Sequence, residues 1–279
     1  MEYIVLNNGM KLPSIGFGTA NARDEQCKDS VKEAIRVGYQ LIDTASQYKN
    51  EEAVGKAVAE STVDRSDLII STKLWNDAQG YKETYKAYEE SAKWMKMDTF
   101  DMFLIHWPNP VHLRNIGYEA HNAETWRAME EIYEAGHLKV IGVSNFQIHH
   151  LEAVINNCKI VPMVNQICVF PGHIDWKLVE YCRNKGIVVQ AYCPLAAGRI
   201  LNDKRINGIA SKYNKSTAQV CLRWHIQNGI VAIPKSVNPE RIQSNLDIFD
   251  FELSQEDMDT LNAMKVDIRI LPDPDEADF

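Results

Sequence analysis

The chain has 279 residues, 45% of them hydrophobic and 24% charged, and carries a formal net charge of -8. These are the values of a globular α/β chain with one sizeable core. The acidic balance excludes a nucleic-acid surface or an anionic membrane as its main partner. Six cysteines, at 27, 158, 168, 182, 193 and 221, form neither CxxC pairs nor a dense disulfide framework, so reduced thiols in a cytoplasmic protein are expected. The opening residues Met1-Glu2-Tyr3-Ile4-Val5-Leu6 lack the basic-then-apolar order of a signal peptide, and no apolar run nears the ~18 residues of a membrane span.

In chain order, Ile4-Val5-Leu6 and Lys11-Leu12-Pro13 flank Asn7-Asn8-Gly9, which predicts a β-hairpin. A first strand follows over 14–18. Its Gly16-Phe17-Gly18 is no dinucleotide fingerprint, because the third glycine is missing and position 21 is Asn. Helix and strand patterns then alternate: helix 24–37 ending at Gly38, strand 41–43, helix 50–60 with Asn50 as its N-cap, strand 68–73, helix 80–96 and strand 101–106. A long irregular segment, 107–122, carries Pro108, Pro110 and Gly117, and loops of that length commonly form lids or substrate walls. Beyond it come helix 123–135, strand 138–143, helix 147–156, strand 163–167, helix 175–185, strand 187–191, helices near 203–213 and over 216–228, strand 230–233 and helix 239–245. Eight strand–helix units with crossover lengths suited to parallel pairing predict a (β/α)8 barrel, the TIM-barrel class of α/β fold. The N-terminal hairpin is expected to plug its amino end. Ser254-Gln255-Glu256-Asp257 reads as a capping box for an extra C-terminal helix, and an acidic, proline-rich tail follows as an extended arm.

Several apolar runs end on ionisable groups: Leu41-Ile42 on Asp43, Leu68-Ile69-Ile70-Ser71-Thr72 on Lys73, and Met102-Phe103-Leu104-Ile105 on His106. Tyr48 lies five residues after Asp43. In a barrel the carboxyl ends of all strands share one rim, so these groups would converge. A phenol is a weak acid at neutral pH, with an ordinary pKa near ~10. A neighbouring ammonium lowers that value, a carboxylate holds the ammonium in place, and an imidazole can orient a carbonyl oxygen. Such a set suits a reaction that leaves negative charge on oxygen, as carbonyl reduction does. Each residue alone has a plainer explanation: a helix cap or ion pair for Asp43, packing for Tyr48, a satisfied core histidine for His106. His149-His150 and the scattered cysteines lack metal-ligand spacing, and no metal is expected.

The segments Ile42-Asp43-Thr44-Ala45, Tyr48, Asn50-Glu51, Thr72-Lys73-Leu74-Trp75, Leu104-Ile105-His106-Trp107-Pro108, Gly142-Val143-Ser144-Asn145-Phe146 and Ile233-Pro234-Lys235-Ser236 resemble the aldo-keto reductases. The likeness runs from the hairpin to the tail and covers residues 1–279 as one domain. Phe249-Asp250-Phe251-Glu252-Leu253-Ser254 and the short tail look most like the branch of glyoxal, methylglyoxal and diketogluconate reductases and prostaglandin F synthase-like enzymes. The resemblance implies a monomeric barrel that reduces aldehydes and ketones with NADPH, without a Rossmann fold. It implies Tyr48 as general acid, tuned by Lys73 and Asp43, with His106 positioning the carbonyl. It gives Ser144, Asn145 and Gln166 to the nicotinamide carboxamide, Tyr192 to its ring and the backbone from Leu195 to the pyrophosphate. Lys235, Ser236, Arg241 and Asn245 would hold the adenosine 2′-phosphate and adenine; two cations and a hydroxyl suit that dianion. Trp75 and Trp107 would wall the substrate site, and Ala20 leaves room in it.

Four positions depart from the family pattern: Cys168, Phe170, Cys193 and Ser244 stand where Glu, His, Ser and Glu are usual. None removes a catalytic group, but all four bear on cofactor affinity. Two other readings fit the same barrel. An NADPH-binding sensor or regulatory subunit would show binding without turnover. An isomerase-type barrel would place a sugar-phosphate site after strands seven and eight.

Overall fold

The computed structural model describes all residues, 1–279. Strands β1 (Tyr3–Val5) and β2 (Lys11–Pro13) form an antiparallel hairpin, with Tyr3 opposite Pro13. Eight parallel strands follow: β3 (Phe17–Gly18), β4 (Leu41–Asp43), β5 (Ile69–Leu74), β6 (Met102–Ile105), β7 (Val140–Ser144), β8 (Val164–Cys168), β9 (Val188–Tyr192) and β10 (Val231–Ile233). They hydrogen-bond in sequence order from β3 to β10. A bridge between Ile15 and Ala232 closes the ring, with Gly16 N–H donating to Ala232 O at 2.8 Å and Ala232 N–H to Ser14 O at 3.0 Å. The strand predicted over 14–18 is therefore regular only in its last two residues, and its first part is the barrel seam.

Ten helices accompany the strands: α1 (Asp24–Val37), α2 (Glu51–Ala59), α3 (Tyr81–Met95), α4 (Tyr118–Glu134), α5 (Ile148–Ile155), α6 (Trp176–Asn184), α7 (Lys204–Tyr213), α8 (Thr217–Gln227), α9 (Pro239–Leu246) and α10 (Gln255–Asn262). The residues of β5, β6 and β7 are buried throughout, as expected of parallel strands covered on both faces. Gly38 ends α1 at φ 112°, and its N–H bonds Ala34 O and Ile35 O. Gly55 lets α2 and α3 touch, since a Cβ there would lie 2.0 Å from Met95 O. No helix is long and apolar enough to cross a membrane.

Four local expectations need correction. Helix α4 begins at Tyr118, not 123, because Gly117 turns at φ 101° and no glycine or proline interrupts the chain from Tyr118 to Glu134; the irregular segment is shorter than its prolines imply. Asn50 sits at the N-cap of α2, but its side chain does not cap. Its Nδ2 donates to Thr19 O and Ala22 O, both at 2.9 Å, and its Oδ1 accepts from Thr44 Oγ1 at 2.6 Å, tying the β3 and β4 loops together. Only half of the capping box forms: Ser254 Oγ accepts from Asp257 N–H, while Ser254 N–H donates to Tyr213 Oη. Tail residues 274–276 form a turn, so the arm is folded rather than extended.

Candidate active site

Asp43 closes β4, Lys73 lies one residue from the end of β5, His106 follows β6, Ser144 closes β7, and Tyr192 closes β9. Parallel pairing puts all these ends on one rim. Tyr48 joins them from a one-turn 3-10 helix, Ser46–Tyr48, terminated by Lys49 at φ 56°. That turn is anchored where Ser46 Oγ donates to Lys73 O at 2.9 Å.

Lys73 is fully buried. Its Nζ donates to Asp43 Oδ2 at 2.7 Å and to Thr44 O at 2.8 Å, and lies 5.3 Å from the centre of the Tyr48 ring. Asp43 Oδ1 accepts from Ser71 Oγ at 3.1 Å and from Gln166 Nε2 at 3.0 Å. Strands β4 and β8 stand on opposite sides of the ring, so the Asp43–Gln166 bond crosses the barrel interior. Gln166 Nε2 also donates to Gln190 Oε1 at 2.9 Å, extending the network to β9. Ser71 and Gln190 lie two residues before Lys73 and Tyr192, hence on the same faces of their strands. That period-two spacing is the sequence signal that could have found them.

Burial of Lys73 opposes its charge, yet Asp43 and Tyr48 outweigh it and raise the pKa above its ordinary value, so the ammonium persists. Tyr48 reverses the expectation. Burial raises its pKa and exceeds the lowering by Lys73, so in the ligand-free protein the phenol holds its proton more firmly than usual. Burial, aided by the charge of Lys73, pushes His106 well below the ordinary imidazole value and keeps it neutral. Its Nδ1 is sealed without a partner, leaving Nε2 as the nitrogen available to a carbonyl oxygen. The Tyr48 and His106 rings meet edge-on with centres 5.8 Å apart, and Trp75 meets His106 at 5.1 Å.

Beside this cluster, Ser144 Oγ donates to Gln166 O at 2.8 Å. Asn145 takes the left-handed conformation, φ 64°, which suits Asn better than most residues. Its Nδ2 donates to His106 O at 2.9 Å, and its Oδ1 accepts from Tyr192 Oη at 2.6 Å. Leu195 leads into a tight turn in which Ala196 and Ala197 are left-handed, φ 50° and 52°. Farther along the rim, Ser236 Oγ accepts from Asn238 N–H, and Asn238 caps α9 by accepting from Arg241 N–H at 3.0 Å. Lys235 and Arg241 are exposed and belong to none of the ion pairs. Asn245 is buried on the same helix. Trp107 is buried, Trp75 and Ala20 are half-buried, and Phe279, unforeseen in the sequence, stacks on Trp75 with centres 5.7 Å apart.

The departures fit locally. Phe170 is fully buried and stacks on His173 at 4.9 Å. Burial raises the Cys168 thiol to about 12 and also raises that of Cys193, so neither is an activated nucleophile. Ser244 Oγ donates back to Arg241 O at 3.3 Å.

The family model "Aldo/keto reductase family" matches residues 14–265. The chain is 46% identical over 279 residues to a glyoxal reductase of Bacillus subtilis (strain 168), covering 100% of this chain and 98% of the relative. It is 38% identical over 275 residues to the methylglyoxal reductase DkgA of Escherichia coli (strain K12), covering 98% and 97%. Among solved structures, the D53A mutant of Gox0644 in complex with NADPH superposes with a TM-score of 0.92 at 41% identity, covering 100% of this chain and 99% of that one. With the predicted barrel observed and the family model spanning most of it, the chain belongs to the aldo/keto reductase family.

Proposed function

We propose that this protein reduces small aldehydes and ketones, dicarbonyls such as methylglyoxal among them, to alcohols with NADPH. The observation that carries the reading is the meeting of a protonated phenol, a buried ammonium–carboxylate pair and a neutral imidazole at one aromatic-walled mouth. The names of the glyoxal and methylglyoxal reductase relatives point to the same substrates. The rim also suits the cofactor. The Ser144 hydroxyl and the Asn145 and Gln166 amides can exchange their present hydrogen bonds for a carboxamide, and the Tyr192 ring offers a stacking surface. Lys235 and Arg241 are unpaired cations beside the α9 N-terminus, where a phosphate is favoured.

Bound NADPH would supply the hydride. The residues of this chain do the rest. His106 Nε2 donates a hydrogen bond to the substrate oxygen and aims it at Tyr48. As charge gathers on that oxygen, Tyr48 gives up its proton to it. Lys73, kept charged by Asp43, stabilises the phenolate that remains. Trp75 and Trp107 wall the mouth and exclude water from it.

The deciding assay follows the loss of nicotinamide absorbance with NADPH and methylglyoxal. Turnover is expected; tight NADPH binding with no turnover of methylglyoxal or other aldehydes would favour a sensor instead. The pH profile has a definite sign. Only protonated Tyr48 can act as the acid, and its pKa lies above the ordinary 10.0. Hence kcat/KM for reduction should not lose its acid until the pH exceeds 10.0. An alkaline midpoint well below that, traced to Tyr48, would mean Lys73 outweighs burial. For the cofactor, Lys235→Ala and Arg241→Ala should each raise KM for NADPH about tenfold and leave KM for NADH nearly unchanged, as loss of one charge-assisted phosphate contact does. Equal effects on both cofactors would remove these residues from a 2′-phosphate site.

A further inference from the structure

Residues 272–279 cross the rim from α5 to the mouth. Phe279 stacks on Trp75, interplanar angle 25°, and meets Trp107 edge-on at 5.0 Å, so it covers both expected substrate walls. Its carbonyl accepts from Val111 N–H at 3.2 Å, and Ala277 O accepts from Arg114 Nη2. The rest of the attachment gathers at two aspartates. Asp275 Oδ1 accepts from Asn109 Nδ2 at 2.8 Å and from His150 Nε2 at 2.9 Å, while its Oδ2 lies 3.1 Å from His149 Nε2. Asp273 accepts twice from Gln147 Nε2, at 3.0 and 3.1 Å.

His149, His150 and Asp275 bring their ligating atoms within 4.8 Å of one another, a grouping that invites a metal. The hydrogen bonding argues otherwise. His150 Nδ1 accepts from Gln147 N–H at 3.1 Å, so a neutral His150 ring must carry its proton on Nε2, facing Asp275. A nitrogen that donates there cannot also ligate. The cluster is a clasp. Its far side is Asn109, on the loop that carries His106 and Trp107. Asn109 is buried and its Oδ1 has no partner, so losing Asp275 would strand the whole amide.

We propose that Asp275 is a positioning residue whose clasp on His150, His149 and Asn109 holds Phe279 over the mouth and restricts the enzyme to small carbonyl substrates. Asp275 itself touches none of the reacting groups. The proposal rests on the reductase reading, and its test separates the two. The kcat/KM values for methylglyoxal and for naphthaldehyde are compared in wild type, Asp275→Ala, Asp275→Asn and Phe279→Ala, after circular dichroism has verified folding. Asp275→Ala should raise the naphthaldehyde-to-methylglyoxal ratio about tenfold, through KM for the bulky aldehyde, and leave methylglyoxal within roughly twofold. Phe279→Ala should match it, and the double variant should add little. Asp275→Asn keeps an acceptor for Asn109 and His150 and should retain most of the selectivity.

Acrylamide quenching of tryptophan fluorescence gives a readout that needs no substrate. It should increase in Asp275→Ala as Trp75 and Trp107 are uncovered. Unchanged ratio and unchanged quenching, or equal losses on both aldehydes, would overturn the clasp. No turnover in any of the proteins, with quenching still increased, would sink the reductase reading and leave the clasp standing.

Discussion

Replacing Tyr48 with phenylalanine should lower kcat for carbonyl reduction by at least about a hundredfold, the scale of general acid catalysis. The ring is retained, so the edge-on contact with His106 and the approach of Lys73 need not change. Only the transferable proton goes. NADPH affinity, measured by fluorescence titration, should stay near the wild-type value, because Tyr48 is assigned no part in holding the cofactor. A variant as active as wild type would remove Tyr48 as the acid. Loss of NADPH binding together with activity would mean that the substitution disturbed the rim.

The second large effect concerns the buried pair. Lys73→Met should destabilise the fold by about 3–5 kcal/mol, because it leaves the Asp43 carboxylate buried without its cation. Ser71 and Gln166 still donate to Asp43, which favours the lower end of that range. The double variant Asp43→Asn/Lys73→Met should recover most of that stability, since a neutral pair carries no uncompensated charge. Activity should not return, because no cation is left to stabilise the Tyr48 phenolate. Denaturant melts of both single variants and the double variant, read beside kcat, separate the two roles. A double variant no more stable than Lys73→Met would mean that packing, rather than the stranded charge, sets the cost. Activity restored together with stability would remove Lys73 from the chemistry.

Much of this site can be read along the chain because a parallel barrel turns a local pattern into a spatial one. Asp43, Lys73 and His106 each terminate or follow a short apolar run, and closing the ring puts all such ends on one face. Ser144, Asn145, Gln166 and Tyr192 stand out along the chain only through motif likeness, and the rim places them beside one another. Long-range bonds are another matter. Nothing near Asn50 in sequence shows that its amide serves two carbonyls of the preceding loop instead of its own helix.

The eight-unit alternation and the rim position of Asp43, Tyr48, Lys73 and His106 are legible along the chain, because strand and helix periodicities are local and parallel closure leaves few arrangements. Packing sets the direction of the Tyr48 shift and the place of Phe279. The first is a contest between a nearby charge and the depth of burial, and depth is defined only once the surrounding strands are packed. The second depends on hydrogen bonds from an irregular tail to residues more than a hundred positions away, and such a tail has no periodicity to announce where it will lie.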